Sequence, residues 1–66
     1  MNRAKIRAKD IVSYWIRSGN QVKDLFDNNN IRKAIENYEQ YFGVKVLPEV
    51  ATHIKNMVAA SRMLFI

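Results

Sequence analysis

The sequence predicts an all-α fold: a small bundle of three to four helices that closes with a C-terminal helical hairpin. Three observations carry this expectation. Apolar residues recur at helical spacing over three long stretches. The stretches are punctuated by Gly19, Gly43 and Pro48, residue types that end or begin helices. The chain has 66 residues and no cysteine, so one domain must hold together by packing alone, without disulfides or thiolate metal sites. A domain of this size buries only about 60% of the surface it exposes when unfolded. Its core must be well packed or completed by a partner, and a homodimer is the simplest partner.

The first helix is expected over residues 3–18. Ala4, Ala8, Ile11, Val12 and Trp15 share one face, and Gly19 supplies the left-handed residue that stops it. A short helical turn is expected over 21–26, with Val22, Leu25 and Phe26 inward. Asp27, Asn28, Asn29 and Asn30 should break it, the asparagines favouring turns and offering a side-chain acceptor to the helix that follows. The next helix is expected over 31–42. Ile31, Ala34, Ile35, Tyr38 and Phe42 form its stripe, Tyr41 lies at the edge, and Arg32, Lys33, Glu36, Glu39 and Gln40 lie opposite. Residues 44–47 alternate and are β-branched, which suits an extended connection. Pro48 suits the first position of the last helix, expected over 48–64. There Val50, Ile54, Met57, Val58, Ser61, Leu64 and Phe65 share a face. The last two helices should pack antiparallel, burying Ile35, Tyr38, Phe42, Val50, Ile54, Met57 and Val58 against Trp15.

Catalytic and metal chemistry lack their constellations, so the chain reads as a non-enzyme without cofactors. His53 is the only histidine, and a zinc site needs three or four converging ligands. Ser61 lies two turns further along the same helix, out of hydrogen-bond reach. Glu36 and Glu39 are expected on a solvated face, where paired carboxylates do no acid-base work. The isolated glycines cannot form a phosphate-binding loop. No stretch approaches the roughly 20 apolar residues of a membrane span. The N-terminal basic residues precede no continuous apolar run, so no secretory signal is expected. The expected setting is therefore cytoplasmic, with neither membrane nor small-molecule substrate as partner.

The charge points to a macromolecular partner. The chain carries 11 Lys and Arg against 6 Asp and Glu, a net charge of +5. Arg3, Lys5, Arg7, Lys9 and Arg17 stand in the first helix against Asp10, an excess that suits a polyanion. Arg3, Arg7, Asp10, Tyr14 and Arg17 are expected to line the face opposite Trp15, where arginines can meet phosphates and a tyrosine can stack. Residues 38–54 resemble a helix-turn-helix, although the connection exceeds the usual three-to-four-residue turn. In that reading Thr52, Lys55, Asn56 and Arg62 would face a groove. A competing partner is a host protein. Ile6 and Tyr14 fall off the core face of the first helix, and Met63, Leu64, Phe65 and Ile66 close the chain without charge. Apolar clusters of that kind mark interfaces.

Residues 41–63 also resemble a family of small phage proteins of uncharacterised activity. The resemblance rests on Tyr41, Gly43, Pro48, Glu49, Val50 and Ala51, then Ser61, Arg62 and Met63. The spacing after Pro48 is one residue short of the family pattern, and the family's glycine- and asparagine-containing N-terminal motif is missing. The resemblance implies an origin in a phage or mobile element and carries no mechanism.

Overall fold

The computed structural model describes residues 3–64, with side-chain surroundings given for 3–60. The elements are α1 (Arg3–Arg17), a 3-10 turn (Val22–Phe26), α2 (Asn28–Phe42) and α3 (Glu49–Leu64). Among the described residues there is no strand, so the all-α expectation holds.

Helix α1 buries Ala4, Ala8, Ile11 and Trp15, with Val12 packed at the stripe's margin. Its end is a Schellman motif. Gly19 takes φ 90°, its N–H donates to Ile16 O, and the Asn20 N–H donates to Trp15 O. The Trp15 indole N–H then donates to Gln21 O at 3.0 Å, tying the end of α1 to the next element. In the 3-10 turn Leu25 is fully buried and Val22 partly so, whereas Phe26 stays 47% exposed. The expected inward Phe26 is thus corrected. Three residues per turn put Val22 and Leu25 on one face, and Phe26 falls a third of a turn away.

Helix α2 begins three residues before its expected start at residue 31. The asparagines neither break the chain nor cap the helix. Asp27 does both: its N–H donates to Asp24 O to close the 3-10 turn, and its carboxylate accepts the Asn29 N–H at 2.8 Å. Asn28, Asn29 and Asn30 form the first turn. Helix-opening N–H groups have no acceptor within the helix, so a carboxylate there satisfies one and complements the helix dipole. Asn30 is put to a separate use, its amide donating to Asp24 O at 2.9 Å.

Ile31, Ala34 and Tyr38 of α2 are buried, and Ile35 is partly so. Phe42 was expected inside and is 51% exposed. It lies at the rim, against Tyr38 and Tyr14, rather than under α3. Gly43 ends the helix at φ 64°, with the Val44 N–H donating to Glu39 O. Residues 44–47 form no regular element. Val44 and Val46 turn to the core while Lys45 and Leu47 turn out, the two-residue alternation of extended chain. The Val46 N–H donates to a Glu39 carboxylate oxygen at 2.7 Å, so Glu39 is a half-buried strut and not a residue of a solvated face.

Helix α3 buries Val50, Ile54 and Val58 at successive turns; Met57 is only partly covered. Ser61, Leu64 and Phe65, also expected inward, lie outside the described side chains. The most extensive packing is between α1 and α3, followed by the 3-10 turn against α3; α2 meets α3 over less surface. The two C-terminal helices do touch, but their pairing is not the centre of the core. Ala4 and Ala8 give α1 a low ridge, and short side chains allow close helix approach.

Candidate nucleic-acid interface

The basic residues of α1 divide between two sides of its buried stripe. Arg3, Arg7, Asp10 and Tyr14 lie along the side nearer the Glu39–Leu47 region, while Lys5 lies by α3. Arg3, Lys5, Lys9 and Arg17 are exposed. Arg7 and Tyr14 are not on the face opposite Trp15, as their spacing suggested. Both are half-buried against α2. The physical reason is that a residue three positions after a core residue falls about 60° to one side of the stripe, where a second packing helix covers it.

Arg7 is the clearest case. Its guanidinium donates to the Tyr38 hydroxyl at 2.8 Å and lies 5.6 Å from the Tyr38 ring centre. Tyr38 has a buried ring whose polar tip must find a partner, and Arg7 provides it. Arg7 is therefore a structural residue as well as a charge.

Around it forms an open groove between α1 and the α2–α3 connection. Arg3, Ile6, Arg7 and Asp10 line one wall; Lys45, Val46 and Leu47 line the other, with Val50 at the floor. Three cations face one carboxylate there. Lys45 alternates with partly buried Val44 and buried Val46, a pattern that turns it outward and is legible in the sequence, but nothing in the sequence put it opposite Arg3.

An aromatic cluster adjoins the groove. Tyr14 stands 5.3 Å from Tyr41 and 5.7 Å from Phe42, centre to centre. Phe42 is 4.5 Å from Tyr38 and 4.9 Å from Tyr41. Tyr41 is 70% exposed, the largest exposure among the large hydrophobic side chains of the described residues. Tyr14 therefore contributes to an aromatic surface, although as a supporting ring and not as a free one.

The other expected contacts lie elsewhere. Lys55 lines a shallow groove between α2 and α3 with Arg32, Glu36 and Glu39, so its cationic neighbour is balanced by carboxylates. Asn56 lines a separate hollow with Lys5, His53, Met57 and Ala60. Lys55 and Asn56 are exposed, but they do not share a surface with Arg3 and Lys45. Among the described residues no group of three or more His, Cys, Asp or Glu could hold a metal ion. Met63, Leu64, Phe65 and Ile66 lie outside the residues whose side chains are described. No described helix is long and apolar enough to cross a membrane. No protein-family model, no curated protein and no solved structure matches the chain.

Proposed function

We propose that this chain is a non-enzymatic basic helical module that binds nucleic acid in a regulatory or accessory role in a phage or mobile element. The observation that carries the reading is the gathering of Arg3, Arg7 and Lys45 around one groove against Asp10 alone. Clustered cations displace the counterions condensed on a phosphate backbone, and this release drives association. The phage setting is supported by the resemblance of residues 41–63. Binding is favoured over catalysis because the hollow around His53 is lined by Lys5, Asn56, Met57 and Ala60, which supply no carboxylate to orient an imidazole.

The test is a titration with DNA and RNA at low and moderate salt. Affinity should fall as salt rises. Arg3→Ala combined with Lys45→Ala should weaken binding to all sequences and lower the slope of log K against log salt by about two for duplex. Arg7 is left intact because its loss would also disturb Tyr38. Binding that ignores salt, or no binding at all, would remove the reading.

A second reading is an adaptor or inhibitor that grips a host protein. The exposure of Leu47 (61%) and Ile6 (44%) at the groove rim favours it. A homodimer through apolar surface is compatible with either reading, and a melting temperature that rises with protein concentration would reveal it.

A further inference from the structure

We infer that the cationic groove and the adjoining aromatic cluster together bind single-stranded nucleic acid, with phosphates on Arg3 and Lys45 and unstacked bases against Tyr41 and Phe42. The inference rests on the nucleic-acid reading above and narrows it to one substrate class.

The exposed rings supply the first argument. Tyr41 and Phe42 keep 70% and 51% of their surfaces exposed in a chain whose size leaves it a small core. They are nonetheless fixed in place. Phe42 rests on the buried Tyr38 at 4.5 Å, and Tyr41 rests on Tyr14 at 5.3 Å. Tyr38 in turn is held by Arg7 at 2.8 Å. Rings held from below present their outer faces with little conformational entropy left to lose, which is what a stacking platform requires.

Charge supplies the second. Arg7 belongs to both features: it lines the groove and it touches Tyr38 beneath Phe42. Arg7 thus bridges the cations to the rings, while Tyr14 and Tyr41 line the next hollow with Asn37 and Gln40. Along α1 the reach from Arg3 to Tyr14 is about 16 Å at the helical rise. That accommodates about five nucleotides at the 3.4 Å spacing of a stacked strand, and fewer if the strand is extended. Duplex would satisfy only half of this surface. Its phosphates could meet the cations, but its bases are already stacked on one another and offer no faces to Tyr41 or Phe42. A groove-reading helix would instead need its polar residues beside the cations, and Lys55 and Asn56 lie on other grooves. An acidic protein segment could meet the cations, but it would leave the ring faces without flat partners.

The experiment compares a labelled mixed-sequence single strand with the duplex it forms with its complement, at low and moderate salt. The protein should bind the single strand more tightly. Tyr41→Ala should weaken single-strand binding by about 5- to 150-fold, the range for one lost base–ring stack. Tyr41→Phe keeps the ring and should bind as the parent does. Because Tyr41 is mostly exposed, helical circular dichroism should be unchanged in both. If duplex binds as tightly as single strand, or Tyr41→Ala binds unchanged, the single-strand assignment is overturned while salt-sensitive loss in the Arg3→Ala, Lys45→Ala variant would leave the broader reading standing. If neither nucleic acid binds with salt sensitivity, both readings fail.

Discussion

At the scale of single residues, position within the packing decides what a side chain is worth. Ile54 of α3 is fully buried in the shared core. Ile54→Ala should cost roughly 2–4 kcal/mol through lost transfer energy and the cavity left behind. In a domain this small that is much of the total, and a thermal melt should show it directly. Arg3 and Arg7 look equivalent in sequence and are not equivalent in the fold. Arg3→Ala should change stability by less than about 0.5 kcal/mol, the usual range for an exposed position. Arg7→Ala removes the partner of the Tyr38 hydroxyl and should cost about 1 kcal/mol. Urea titration of the two variants separates them, and equal midpoints would show that the Arg7–Tyr38 contact carries no stability.

At the scale of elements, the helix ends are the informative places. Asp27, and none of the three asparagines after it, opens α2. Asp27→Ala should therefore cost about 1 kcal/mol, whereas Asp27→Asn should cost much less because the amide oxygen can still accept. Asn28→Ala should be close to neutral. A larger effect at Asn28 than at Asp27, read by chemical denaturation, would reverse the assignment of the cap. Gly43 is constrained differently. A methyl group there would meet nothing within 4 Å, so space is not the obstacle. Its φ of 64° is, and Gly43→Ala should cost about 1 kcal/mol of backbone strain. That variant would also disturb the turn that sets Lys45 opposite Arg3, so its effect on binding should exceed its effect on stability.

At the scale of the whole molecule, every element shares one core. The 3-10 turn contributes Leu25 to the same cluster as Ile11 of α1, Ala34 of α2 and Val58 of α3. Unfolding should therefore be a single transition. Helical circular dichroism and emission from Trp15, which is buried between elements, should give coincident melting curves. Curves that separate would mean that one helix detaches before the rest. The net charge of +5 spreads over this small surface, and the groove beside Tyr38 gathers three of its cations, Arg3, Arg7 and Lys45.

What the sequence determined by itself was much of what depends on neighbours along the chain, although the cap of α2 fell to Asp27 and not to the asparagines. The apolar stripes of Ala4, Ala8, Ile11 and Trp15, and of Val50, Ile54 and Val58, follow from the 3.6-residue period alone. Gly19 and Gly43 end helices because an L side chain avoids positive φ, a local constraint. Which end of a stripe is covered depends on where another helix crosses it, so Phe42 read as core and became rim. Tertiary structure alone decided that Arg7 would clasp Tyr38, across a separation of 31 residues, and that Lys45 would stand across a groove from Arg3. The same geometry turned Tyr14, Tyr41 and Phe42 into one surface. Periodicity assigns a residue to a face of its own helix. Only packing, which acts between segments far apart in the chain, determines what that face meets.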